Sequence, residues 1–293
     1  MSNFFSRLAV GTANFGLNYG INNRKGRLSD AHLKAIIDYA FANGINTFDT
    51  AEAYGDSERR LGKYLKSDYK VITKIGVDFE KQYSNGHLSS RFHKSLNNIN
   101  IKNIYGLLLH RPEVLLQKNG NYILKELKNL KEENYIKKIG VSVYDPKTLN
   151  EVINLFTPDI VQFPFNIFDQ RFVNYGSVKL LQSLGVEIHI RSVFLQGLLL
   201  MKQHELPEKF KSAWPKIFNN WFNYQQNVQL DLDEISLGYC LDQEWVDKIV
   251  VGIDNVDQLK RHASIEKRIP TIKYKEFNVE DESLINPSMW NKI

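Results

Sequence analysis

The chain has one cysteine in 293 residues, Cys240, within the apolar stretch SLGYCLDQ. No disulfide can close within it, as expected for a reducing cytoplasm, and the context suits a small core residue better than a reactive thiol. Metal-ligand spacings are missing too. There is no H-E-x-x-H or C-x-x-C, and His32, His87, His93, His189 and His204 are scattered, so no metal is expected. No run of about 18 uncharged apolar residues occurs, so no helix should span a membrane. The opening MSNFFSRLAV lacks the basic and long apolar regions of a signal peptide. No G-x-G-x-x-G follows any apolar run, which argues against a Rossmann-type nucleotide domain. Charge of one sign is scarce: 38 Lys and Arg face 33 Asp and Glu, net +5, interleaved, with Lys137-Lys138 the nearest thing to a basic block. That pattern excludes a nucleic-acid stripe and leaves weak attraction for anionic small molecules. The expectation is a cytoplasmic, soluble protein with a small-molecule partner, no nucleic acid and no membrane. Nothing in the sequence speaks to its oligomeric state.

What is present is ordinary core-forming material, 43% hydrophobic and 24% charged, in a repeated alternation. Short apolar runs with β-branched residues recur at 8–12, 45–50, 70–76, 104–110, 137–143, 159–165, 187–193 and 248–254, each closed by polar residues or glycine. Helical patterns lie between them. SDAHLKAIIDYAFANG begins at a Ser29 cap, keeps Leu33, Ile36, Ile37 and Ala40 on one face, and stops at Gly44. DPKTLNEVINLF has Pro146 near its first turn. Eight strand–helix units with near-continuous apolar strands predict a parallel sheet covered by helices. The fold expected is α/β, a single (β/α)8 TIM barrel forming one domain over 1–293, with an open doubly wound sheet as the alternative. The crossover at 194–247, carrying Trp214 and Trp221, is much longer than the rest and predicts extra helices or a lid.

In such a barrel, chemistry gathers at the C-terminal strand ends. Those ends carry Gly11-Thr12, Asp49-Thr50, Lys74, His110, Ser142, Gln162 with Asn166, Arg191-Ser192, and Gly252 to Asn255. Lys74, inside VITKIG, is the oddest, because a buried ammonium is costly unless paired. Asp49, ending the neighbouring strand, is its natural counter-ion. Taken singly, each of these is more readily a satisfied buried polar group than a catalytic one. Convergence of several on one mouth points to chemistry.

Asp49 and Tyr54 in FDTAEAYGDSE, Lys74 in VITKIG and His110 in LLLH resemble the Asp–Tyr–Lys–His tetrad of the aldo-keto reductases. The likeness continues through GVSVY (140–144), VQFPFNIFDQR (161–171), RSVFLQGLLL (191–200) and VVGIDNVDQL (250–259). The resemblance implies a barrel that binds NADPH or NADH extended, without a Rossmann domain, and interconverts an aldehyde or ketone with its alcohol. A phenol of pKa about 10 is a sluggish acid–base group at neutral pH. The expectation is that Lys74 lowers this pKa while Asp49 keeps Lys74 charged. His110 then hydrogen-bonds the carbonyl oxygen and Tyr54 passes the proton.

The same resemblance sets Ser142 and Gln162 on the nicotinamide carboxamide, although Val143 stands where an asparagine is usual. Arg191 falls where an aromatic ring commonly stacks on the nicotinamide. Ser192, Leu195, Gln196 and Gly197 fall at the pyrophosphate, and Gly252, Asp254, Asn255, Gln258 and His262 at the adenosine end, His262 replacing a frequent asparagine. Gly11 and Thr12 complete the cofactor set. Asp254 would repel a 2′-phosphate, Gln258 stands where arginine is frequent, and Lys260 and Arg261 are near enough to swing round. The expectation is that NADH is used at least as well as NADPH.

Two departures concern the substrate. The first strand begins at Leu8, leaving no room for the N-terminal hairpin that plugs many members, and the loop after His110, RPEVLLQKNG, is short. An open mouth suits a polar or bulky carbonyl, such as a sugar or sugar nucleotide. Asn14, Phe15, Tyr19, Tyr144 and Phe165 are candidates for its wall or for ordinary packing. The alternatives are a Schiff-base lyase or aldolase using Lys74 and a non-catalytic cofactor-binding subunit. Asp49 argues against the first, the complete tetrad against the second.

Overall fold

Eight parallel strands close on themselves: β1 (Leu8–Gly11), β2 (Thr47–Asp49), β3 (Lys70–Ile75), β4 (Ile104–Leu109), β5 (Ile136–Ser142), β6 (Ile160–Pro164), β7 (Glu187–Arg191) and β8 (Lys248–Gly252). Each pairs with its sequence neighbours, and β8 returns to β1. The computed structural model describes residues 4–21, 23, 26–66, 69–77, 86–265 and 274–292. Closure removes the sheet edges that an open sheet would leave, and the fold is the (β/α)8 barrel.

Local signals place the helices. The Ser29 side chain accepts from His32 N at the start of Asp30–Ala42, which buries Leu33, Ile36, Ile37 and Ala40, and the chain then turns at Gly44 with φ 73°. Asp145 caps Pro146–Leu155, its carboxylate accepting from Thr148 N at 2.9 Å. The long β7–β8 crossover holds a 3-10 segment, Leu195–Leu200, and the helices Glu208–Ala213, Pro215–Val228 and Leu232–Leu241. Trp221 is buried there, and Trp214 Nε1 donates to Asp281 Oδ2 at 2.9 Å. Cys240 is a buried core residue, its thiol pKa pushed up by burial. At the other end of the chain, the 3-10 turn Phe4–Arg7 runs directly into β1. Among the described residues no helix is long and apolar enough to cross a membrane.

Inside the barrel, side chains on one strand face repeat every second residue. The lowest layer is polar: Glu187 accepts from Tyr105 Oη at 2.7 Å and from Lys138 Nζ, and pairs with His189 Nε2 at 2.6 Å. His189 is thus a paired interior group. Above it, Ile72, Leu108 and Ile160 form a dry plug, each burial contributing about 1.5–3 kcal/mol. Two residues further along the same strands stand Lys74, His110 and Gln162. The plug is the floor of the site.

Candidate active site

The loop carrying Tyr54 is pinned before any chemistry is considered. Ser57 Oγ donates to Thr12 O at 2.8 Å, tying the turn after β2 to the turn after β1. Gly55 takes φ 61°, and a Cβ on Gly16 would lie 1.9 Å from Tyr54 O. Two glycines therefore let the backbones touch. Buried Arg60 donates to Phe15 O, Leu28 O and Asp30, closing the same corner.

Lys74 and Asp49 are 1% and 3% exposed, and both are satisfied. Lys74 Nζ donates to Asp49 Oδ1 and, at 3.0 Å, to Thr50 O. Gln162 Nε2 crosses the barrel to Asp49 Oδ2 at 2.7 Å. The Tyr54 ring centre is 5.3 Å from Lys74 Nζ and 5.9 Å from the His110 ring, which meets it edge-on. Burial lowers the Lys74 pKa against the pull of Asp49. Burial, then the Asp49 charge, pushes the Tyr54 pKa up. The expected lowering of the phenol is not the direction found, because burial outweighs the neighbouring charges and Asp49 adds to it. Burial, with Lys74 and Arg191 nearby, holds His110 down at about 4, so its imidazole is neutral at neutral pH. A protonated phenol, a neutral imidazole and a fixed ion pair can together donate a proton to a carbonyl oxygen and share its developing charge.

Two clefts meet here. A long groove, lined by Tyr54 and Asp49 at one end, runs past Gly11, Thr12, Arg191, Ser192, Gln196 and Gly197 to Gly252, Asp254 and Gln258. Ser192 and Gln196 on its wall, and buried Leu195 between them, adopt positive φ. Such backbone costs about 1–3 kcal/mol per residue and clusters at ligand sites. Asn166 Nδ2 braces that turn through Ser192 O at 3.0 Å. The loop after β1 crosses above, with Ile21 N donating to Gln196 O at 3.0 Å and Gln196 Nε2 to Tyr19 Oη at 3.2 Å. The second cleft lies across His110, where Glu52, Arg91, Arg111, Glu113, Tyr144, Asn286 and Ser288 line it together with Ala53, Gly76 and Val77. Glu52 accepts there from Arg91 Nε at 3.0 Å and from Gly76 N at 2.8 Å. Arg191 stacks on Tyr144 at 4.1 Å between the clefts.

The structure sorts the candidate residues. Asp49, Tyr54, Lys74 and His110 come together, and nine of the fourteen cofactor candidates line the groove. Ser142 and Gln162 lie buried at the barrel top, where Ser142 Oγ and Gln162 Oε1 have no partner. Leu195 is core, Asn255 caps Val256–Ser264 by accepting from Gln258 N, and His262 is buried 5.0 Å from Phe194. Asn14 and Tyr19 line the groove rather than the second cleft, while Tyr144 does line that cleft. Phe15 and Phe165 pack in the core, Phe165 stacked on Tyr239 at 5.3 Å. Sequence reading missed Glu52, Arg91, Arg111, Asn286 and Ser288. Glu52, inside the Tyr54 loop, and Arg111, directly after His110, carried a local signal.

A buried Lys–Asp pair, a phenol and an imidazole at the strand ends of a barrel, beside a long groove, define a nicotinamide-dependent oxidoreductase. A model of the Aldo/keto reductase family matches residues 7–279, and the chain belongs to that family. It is similar to D-arabinose 1-dehydrogenase of Saccharomyces cerevisiae, 27% identical over 259 residues, covering 78% of this chain and 74% of the relative. It is similar to the uncharacterized oxidoreductase YqkF of Bacillus subtilis, 24% identical over 248 residues, covering 78% and 80%. In fold it resembles the holo form of aldo-keto reductase AKR11C1 from Bacillus halodurans, with TM-score 0.72 and 21% identity over 92% of this chain and 89% of that one.

Proposed function

We propose that the protein reduces the carbonyl of a hydroxylated, sugar-type aldehyde or ketone, and oxidises the alcohol in reverse, as a single barrel domain with Tyr54 as general acid/base. One observation supports this above others: Tyr54 stands between a long groove and a second cleft, with the Lys74–Asp49 pair behind it and His110 across from it. The bound dihydronicotinamide supplies the hydride. Ser142 Oγ and Gln162 Oε1, buried without partners, fit the needs of its carboxamide. Tyr54 gives its proton to the carbonyl oxygen, His110 hydrogen-bonds that oxygen, and Lys74 with Asp49 holds the phenol in a fixed field.

The charged side chains in the second cleft, Glu52, Arg91, Arg111 and Glu113, favour a hydroxylated substrate over an apolar one, and the yeast relative is named for a sugar. Asp254 lines the far end of the groove with its carboxylate accepting from Asn14 Nδ2 at 2.9 Å, a setting that suits ribose hydroxyls better than a phosphate. NADH is therefore used at least as well as NADPH. Lys74 donates to both Asp49 and Thr50, and the Asp49 carboxylate favours its charged form, which argues against a Schiff base. The test is oxidation of NADH and NADPH with a panel of aldoses and chain-matched unhydroxylated aldehydes. The aldoses should show the higher kcat/KM, and no turnover with any carbonyl would sink the reading.

A further inference from the structure

A cation sits close to the end of the groove lined by Asp254 and Gln258, with two of its three nitrogens already engaged. Arg261 lies three residues beyond groove-lining Gln258, one turn along the same face of Val256–Ser264. A guanidinium in that position is what a 2′-phosphate calls for. Yet Arg261 Nε donates to Asp233 Oδ2 at 2.5 Å, and Nη2 donates to Asp231 Oδ2 at 2.5 Å and Asp233 Oδ1 at 2.7 Å. Both acids are fixed at the start of Leu232–Leu241, where Asp231 N donates to Glu234 Oε2 at 2.7 Å. Asp233 stands one layer behind the groove wall: His262 Nε2 is 3.6 Å from it, and the His262 ring packs on groove-lining Phe194. The neighbouring base, Lys260, is paired with Asp257 at 3.1 Å.

Building on the NADH reading, we propose that Asp231 and Asp233 are cofactor-specificity residues of this chain, holding Arg261 away from the groove so that no base meets a 2′-phosphate. Two carboxylates against one guanidinium leave the cluster with a net negative charge. A phosphate of charge near −2 must therefore both extract the arginine and approach that field. A ribose with free hydroxyls meets neither obstacle. The acids touch no cofactor themselves; they are positioning residues acting through Arg261.

The experiment measures dissociation constants of NADH and NADPH by fluorescence quenching in four proteins: wild type, Arg261→Gln, the pair Asp231→Asn with Asp233→Ala, and the triple combination. Wild type should favour NADH or bind both equally, and Arg261→Gln should change neither constant. Removing the acids should tighten NADPH at least about tenfold, the worth of one charge-assisted contact. NADH should stay within about twofold, and the gain should vanish in the triple variant. A general loosening of the helix cannot tighten one cofactor through one arginine. If the acid variant gains nothing for NADPH while wild type does not prefer NADPH, this inference fails and the cofactor reading stands. If wild type prefers NADPH and Arg261→Gln weakens it, the arginine already serves the phosphate and the cofactor reading fails with it. Asp233→Asn alone keeps side-chain volume, and is read by the same criteria should the double variant not fold.

Discussion

Lys74 Nζ lies 5.3 Å from the centre of the Tyr54 ring, with its charge already matched by Asp49. The phenol therefore faces a nearly neutral pair. Its pKa is then set first by burial and next by the charge of Asp49, both upward. Expecting Lys74 to lower it counts one charge of two. A phenol that keeps its proton at neutral pH is ready for carbonyl reduction, and only the oxidative direction requires its ionised form.

Tyr54→Phe keeps the ring against His110 and removes the proton. Turnover should fall by about 10²–10⁴, the usual worth of a general acid. Cofactor affinity should hardly move, since the ring still closes that end of the groove. Stopped-flow single turnover with a saturating aldehyde measures the first and fluorescence quenching the second. A wild-type rate in the variant would remove Tyr54 from the chemistry.

Lys74→Met leaves Asp49 buried with only Gln162 as side-chain partner. Breaking a buried pair on one side costs about 3–5 kcal/mol, because the remaining charge stays in a low dielectric. The urea midpoint and kcat should therefore fall together. Lys74→Met with Asp49→Asn should recover much of the stability and none of the activity, separating the structural loss from the chemical one.

The barrel was legible because parallel strands bury both faces: Leu107, Leu108 and Leu109 are all core, and runs of that kind recur eight times in order. Strand alternation also exposes the site, since Lys74 follows Ile72 and His110 follows Leu108 by two residues on interior faces. Aromatic type alone says nothing about direction, so Phe15 and Phe165 read equally as wall or as packing, and each is enclosed. Asn286 and Ser288 reach the second cleft from the far end of the chain, with no local pattern to mark them. The tie of Arg261 to Asp231 and Asp233 is likewise a tertiary fact, joining helices that local sequence cannot orient. Periodicity reports the face of an element, while pairing across elements requires the fold.

The His110 imidazole, held down at about 4 against an ordinary 6.5, gives a pH dependence of definite sign. Between those values the unfolded chain binds the proton and the folded chain resists it, so stability falls as pH drops through that window and is level above it. Buried His262, also held at about 4, adds to the same slope. Urea midpoints at neutral pH and at about pH 5 should differ accordingly, and His110→Asn should flatten part of the difference. Reductive kcat/KM should show no break near 6.5, since the imidazole remains neutral there. A break at that pH would mean that His110 is protonated like an exposed histidine.

Arg191 gives a last expectation, on the direction of the reaction. It lines the groove near Tyr54 and Asp49, stacks on Tyr144, and donates weakly to Val143 O at 3.3 Å and Ser192 Oγ at 3.4 Å. Among the described residues it has no ion pair, whereas the Lys74 charge is matched by Asp49. Arg191 is thus an uncompensated cation at the reacting end. NAD⁺ carries a positive ring that NADH lacks, so that charge should weaken the oxidised cofactor selectively. At an effective dielectric of about 20 and partial exposure, one unit charge several ångströms away is worth about 1–2 kcal/mol. Arg191→Met should therefore shrink the ratio of NAD⁺ to NADH dissociation constants by about 5–30-fold, mainly by tightening NAD⁺. Titration calorimetry with NAD⁺ and fluorescence quenching with NADH give the two constants. Equal loss of both would make Arg191 a stacking platform, and its charge would have no bearing on direction.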